Sequence, residues 1–231
     1  MLSTEEFADW SKGLVLFLHL TTRVKSDPDQ SLLRDKGFSG FPSLAILDAS
    51  GELLSKHPLG KRDLGSVVAM AEQAEAFAKL RAKAEAGDTK AKARVLVSKL
   101  EMNLLTHADG CALFETLSAS MTGEQREQAE LFLITREFTE AEQALRGDGP
   151  ASSDYFEARK QLILRFFADG KIPTGIKAPS FLSTVMRHAE TQGDVKMYER
   201  ALEALIDRVG DRETYYTSMI KRARERLEKM R

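Results

Sequence analysis

The sequence predicts an α/β segment followed by an all-α region, so that the chain is mostly helical overall. Strand-like apolar runs, "LVLFLHL" at 14–20 and "SLAIL" at 43–47, fall before Asp63 and do not return after it. From Asp63 on, apolar residues recur at helical spacing, beginning with Leu64, Val67, Val68, Ala71, Ala74, Phe77 and Ala78. The helical stretches are separated by short polar breaks, which implies antiparallel neighbours. The division these patterns imply is 1–80 for the α/β part and 81–231 for the helices.

The first element expected is a short helix at 3–10, with Ser3 as cap, Glu6 closing a capping box, and Phe7 and Trp10 on one face. Gly13 then breaks the pattern. The unbroken apolar run that follows is the type found in strands covered on both faces, which suggests a parallel sheet. "SDPDQSLLRDKG" reads as a helix capped by Asp27, with Pro28 at its first position and Gly37 at its stop. "SLAIL", "DASGE" and "LLSKHPL" read as strand, turn and returning antiparallel strand, with Gly51 free to take positive φ.

Helices are expected at 63–86, 89–106, 110–120, 123–134, 137–147, 153–169, 178–192, 195–209 and 211–230. The breaks have physical causes: "AGD" at 86–88, Thr122 with Gln125 in capping-box positions, "GDGPASS" at 147–153, "DGKIPTGIKAP" at 169–179 and "QGD" at 192–194. Gly87 and Gly193 stand 106 residues apart, about three periods of a ~34-residue helix-pair repeat, although the intervening breaks lose register.

Composition narrows the function. The 231 residues are 42% hydrophobic and 30% charged, as in globular proteins, and the net charge of −1 gives no global field for nucleic acid or an anionic bilayer. "MLSTEEFADW" is acidic and lacks the apolar run of a signal peptide, so the expected compartment is the cytoplasm, and no apolar segment reaches the ~18 residues of a membrane span. Cys111 is the one cysteine and cannot form an intrachain disulfide. His19, His57, His107 and His188 show no metal-ligand spacing, so neither a metal nor a cofactor is expected. No Walker loop, G-x-S-x-G, G-x-G-x-x-G or H-E-x-x-H occurs, and no catalytic residue is nominated.

The ordered set "LLRDKGFSGFPSLAILDASGELL" resembles the helix, G-v-x-g-x-P-t loop and strand-turn-strand of the thioredoxin-like family. "MLSTEEFADW" is similar to the tail that follows that family's Cys-x-x-Cys helix. The resemblance covers about a third of the chain and corresponds to the C-terminal two thirds of the domain. It implies that Pro42 occupies the family's cis-proline position and that Gly40, Phe41, Pro42 and Ser43 form the loop that holds extended substrate chains. It also implies that the family's first strands and cysteine pair would precede Met1.

Disulfide exchange needs an attacking thiolate and a resolving thiol. Cys111, expected in a helix and packed like an ordinary thiol, supplies only one sulfur. In the thioredoxin arrangement a central strand separates the strands matching 14–21 and 43–48. Without it, the two either pair directly or are completed by another chain or by an N-terminal piece. Direct pairing or exchange in a homodimer is the expectation here.

Three functional readings follow. One is a truncated form of a bacterial thiol-disulfide oxidoreductase. A second is a redox-inactive module that holds a protein or peptide partner. The third is a helical scaffold or oligomerisation protein with a relic sheet, its TPR-like helix pairs stacked in antiparallel fashion. Tyr198 with Leu202 and Leu205, and Phe166 with Leu162 and Ile163, are read as core rather than as a peptide groove. Lys221, Arg222, Arg224, Arg226, Lys229 and Arg231 make the last helix basic, a pattern that suits a solvated face or an acidic partner.

Overall fold

The computed structural model describes residues 3–19, 31–38, 43–57, 63–147, 152–209 and 213–231. It is mostly helical, with one small antiparallel sheet. Two compact units form: residues 1–105 with 112–125, and residues 106–111 with 126–231.

In the first unit, helix α1 (Glu5–Trp10) is capped by Thr4, whose hydroxyl accepts from the Phe7 N–H at 3.3 Å, one residue later than the expected Ser3. A short helix α2 (Leu32–Asp35) follows. The residues expected to cap it, Asp27 and Pro28, lie outside the described residues. Strands β1 (Ala45–Leu47) and β2 (Leu53–Lys56) pair antiparallel, matching Ala45 with Lys56 and Ile46 with Ser55 before the register shifts to match Leu47 with Leu53. Gly51 turns the hairpin at φ 81°, as expected of a residue without Cβ.

The turn is tied by Asp48, whose Oδ1 accepts from the Ser50 N–H at 2.9 Å, the Ser50 hydroxyl at 2.6 Å and the Glu52 N–H at 3.0 Å. Its Oδ2 accepts from Arg81 at 2.5 Å, which fixes the turn to helix α3 (Leu64–Glu85). The Ser50 hydroxyl and then the Arg81 guanidinium hold the Asp48 carboxyl far below the usual carboxylate range. Asp63 and Ser66 close a reciprocal capping box at the start of α3.

Phe7, Val67 and Met70 form a small core with Trp10, Leu44, Ile46 and Leu64, which joins α1, the hairpin and α3. Helix α4 (Thr89–Glu101) is capped by Asp88 and packs on α3. It stops five residues before the expected end, because Asn103 takes the left-handed conformation at φ 58° and the Leu104 N–H turns back to the Lys99 carbonyl. Gly37 has a similar duty: at φ 69°, a Cβ there would stand 2.8 Å from Lys56 Nζ and 3.2 Å from the Met102 carbonyl oxygen. Lys56 donates to the carbonyls of Gly37 (2.9 Å) and Met102 and lies over the Phe38 ring, so one ammonium joins β2, the end of α2 and the end of α4.

One expectation fails here. Residues 14–19 form no strand and pair with neither β1 nor β2, and among the described residues β1 is hydrogen-bonded only to β2. The run is exposed: Leu14 at 43%, Val15 at 98%, Leu16 at 63%, Phe17 at 73% and Leu18 at 79%. A strand buried on both faces needs neighbours on both sides, and among the described residues the sheet provides a single hairpin. Among the described residues, the expected parallel sheet and the direct pairing of 14–19 with 43–48 are therefore corrected to a two-stranded antiparallel hairpin, while 20 and 21 lie outside the described residues.

Helix α5 (His107–Leu117) begins three residues earlier than expected, since the Thr106 hydroxyl accepts from the Asp109 N–H at 3.1 Å. The expected helices at 123–134 and 137–147 are one, α6 (Gly123–Arg146). The residues between them contain no breaker, and Thr135 donates to the Leu131 carbonyl while Arg136 pairs with Glu140. The capping box of Thr122 and Gln125 is present in both directions.

The second unit continues with α7 (Ser153–Ala168), α8 (Lys177–Gln192), α9 (Val195–Val209) and α10 (Glu213–Met230). Their boundaries lie within two residues of the expected ones, because Ser152, Gly193 at φ 67° and Asp194 act as the punctuation the sequence suggests. Tyr198, Ala201, Leu202, Leu205 and Val209 on α9 form a stripe facing Phe181, Leu182, Val185, Met186 and Ala189 on α8, within one core that also holds Phe166 and Phe167. Phe138 of α6, fully buried, meets Phe166 and Phe181 edge-on at 5.4 and 5.2 Å. Glu142 of α6 accepts from Arg159 of α7 and Lys177 of α8, both at 2.5 Å, and so ties three helices with one carboxylate.

Candidate functional site

Of the expected proline loop, Gly40, Phe41 and Pro42 lie outside the described residues, as does the Phe41–Pro42 bond. Ser43 is partly buried just before β1.

Cys111 forms no disulfide and lies partly buried on α5, with its Sγ 3.4 Å from His107 Nε2 one turn earlier. The same nitrogen stands 4.0 Å from Glu137, and Glu137 is also held by Lys171 at 2.8 and 2.9 Å. The His107 N–H donates to Glu140. A thiol beside an imidazole is a pairing found at nucleophilic sites. Here, however, the histidine shares its one facing nitrogen between the thiol and a carboxylate already neutralised by Lys171. No group of three or more metal-ligating side chains occurs among the described residues. The sequence missed this pair because it placed the start of the helix at 110 and so lost the i, i+4 relation.

A groove of about 260 Å³, open on one side, lies on the second unit between α8, α9 and α10. Its floor is Tyr198 with Met186 and Met219, and Arg187, Arg222 and Arg226 line it. Tyr198 is only 2% exposed and lines the groove; the buried polar side-chain atoms without a partner among the described residues are His19 Nε2 and Arg208 Nε, not its hydroxyl. Burial, and next the charge of Glu190, raise the Tyr198 pKa against the opposing effect of Arg226, so the hydroxyl stays protonated and free to donate.

The arginines are incompletely neutralised. Arg226 reaches Glu190 at 3.3 Å with both side chains exposed, a weak pair. Arg222 donates to the Ser218 carbonyl of its own helix. The volume falls below the ~300–1,000 Å³ usual for small-molecule and cofactor sites, which leaves space for one or two side chains.

Sequence reasoning named Arg222 and Arg226 as a basic helix end and Tyr198 as core. It could not bring Arg187 to them. The available signal was a tyrosine, rather than phenylalanine or leucine, on the most apolar face of α9.

Comparison with family models, with curated proteins and with solved structures gives no match. No described helix is long and apolar enough to cross a membrane.

Proposed function

We propose that the chain is a non-catalytic protein-interaction module, built on part of a thioredoxin-like domain and a TPR-like set of helix pairs, which associates with a second copy of itself through residues 14–18. The observation that carries this reading is the exposure of five consecutive apolar residues, with no charge among them, in a segment with no sheet partner among the described residues. Such a run is a template for strand addition, and an antiparallel pairing with its own copy would satisfy backbone groups and cover side chains together. The side chains expose on the order of 600 Å², approaching the ~800 Å² that each partner buries in a standard interface. We expect no redox turnover from a single copy of this chain, because disulfide exchange needs an attacking and a resolving thiol and Cys111 supplies one.

The test is light scattering on a size-exclusion column, comparing wild type with the Val15→Lys/Phe17→Lys double variant. Both positions are exposed, so the variant retains its helical circular dichroism. Wild type is expected to elute as a dimer at about 100 μM and the variant as a monomer. A monomeric wild type at that concentration, or a dimer indifferent to the two lysines, refutes the reading.

A further inference from the structure

We propose that the groove between α8, α9 and α10 binds an acidic peptide segment, seating one apolar side chain against Met186 and Met219 while carboxylates meet Arg187, Arg222 and Arg226 and one acceptor oxygen takes the Tyr198 hydroxyl. The groove belongs to the second unit and does not depend on self-association through residues 14–18.

Two independent observations point to a ligand. First, Arg187 of α8 meets Arg222 and Arg226 of the basic helix α10 around a small depression, a local concentration of positive charge in a chain whose net charge is −1. Second, Tyr198 lines the groove at 2% exposure and carries a phenol hydroxyl able to donate to a ligand. Phenylalanine at 198 would serve the α8–α9 core equally well, whereas only tyrosine presents a donor beneath a cationic rim.

The mixed lining selects the ligand class. Guanidinium groups pair with carboxylates in fixed, often bidentate geometry, and the two methionines adapt to an apolar side chain. A nucleic acid would call for exposed aromatic faces on which bases stack, and the one aromatic of the lining, Tyr198, is 2% exposed. The Glu190 carboxylate, 3.3 Å from Arg226, already stands where a ligand carboxylate would compete, so it acts as a weak internal occupant.

The probe is a fluorescein-labelled peptide with one leucine flanked on each side by two glutamates, titrated against the full chain by fluorescence anisotropy. Saturable binding with a Kd of about 10–100 μM is expected, weakening as salt rises. Arg187→Ala/Arg222→Ala is expected to weaken it at least about tenfold, since both are exposed and their loss spares the core. Tyr198→Phe keeps the ring and the melting temperature while weakening binding about 3- to 10-fold. Glu190→Gln should tighten binding about 2- to 5-fold by releasing Arg226.

Four outcomes would overturn the proposal. They are no saturation at 1 mM, equal affinity for the same peptide with lysine in place of glutamate, unchanged affinity in both the arginine and tyrosine variants, and a ten-nucleotide oligouridine that binds more tightly and is lost with the same substitutions.

Discussion

Replacing Glu142 with glutamine tests whether one buried carboxylate holds α6, α7 and α8 together. The Glu142 side chain is 12% exposed, and its partners Arg159 and Lys177 are 21% and 32% exposed, so all three charges have lost much of their water. Burial pushes the Glu142 carboxyl up, but the hydrogen bonds from Lys177 and Arg159 outweigh it and hold the group below its ordinary 4.5. Glutamine preserves shape and one acceptor while removing the charge, which leaves two partly desolvated cations facing each other. Charge-assisted hydrogen bonds contribute about 1.5–3 kcal/mol each, and breaking a buried pair from one side costs about 3–5 kcal/mol. The residual exposure of the cations lowers this to about 2 kcal/mol at pH 7.

The assay is urea unfolding followed by far-ultraviolet circular dichroism. Trp10, the one tryptophan, reports the first unit separately by its fluorescence. The sign of the pH dependence follows from linkage: a carboxyl with a lowered folded pKa contributes its stability above the unfolded value near 4.5 and loses it as pH falls through the folded value. The gap between wild type and Glu142→Gln should therefore be full at pH 6–7 and shrink progressively as pH falls below about 4.5. A gap under about 0.5 kcal/mol at pH 7, or one equally large at pH 3, would refute the reasoning.

Other perturbations have equally definite expectations. Phe138→Ala removes a fully buried ring from between Phe166 and Phe181 and should cost about 3–5 kcal/mol, read as a lowered urea midpoint with dichroism at low urea preserved. Gly37→Ala combines a disfavoured φ of 69° with a Cβ 2.8 Å from Lys56 Nζ; about 1–2 kcal/mol should be lost, with Trp10 fluorescence reporting an earlier transition. Insulin reduction by the chain should stay at the rate of the reductant alone, and Cys111→Ser should leave that rate unchanged.

The legibility of the fold depended on how local each determinant was. Helices α7, α8 and α9 were read to within two residues because Ser152, Gly193 and Asp194 act on their own backbone neighbours. The hairpin was legible for the same reason, since Gly51 and Asp48 fix its turn within five residues. The end of α4 was missed because it depends on Asn103 adopting positive φ, a state that asparagine takes only when its surroundings favour it.

The failure at residues 14–19 has a different origin. Apolarity in a row says that a segment could be covered on both faces, but the covering elements are non-local, and hydrophobic pattern alone carries no information about whether they are present. The groove posed the converse problem. The apolar spacing of Tyr198, Leu202 and Leu205 gave the correct burial, and that success hid the one polar atom of the stripe. Burial and function are separable at a tyrosine: the ring satisfies the core while the hydroxyl remains able to donate to a ligand. A core reading that is right for the ring therefore leaves Tyr198 open as a binding residue, and Tyr198→Phe separates the two roles by holding the first constant.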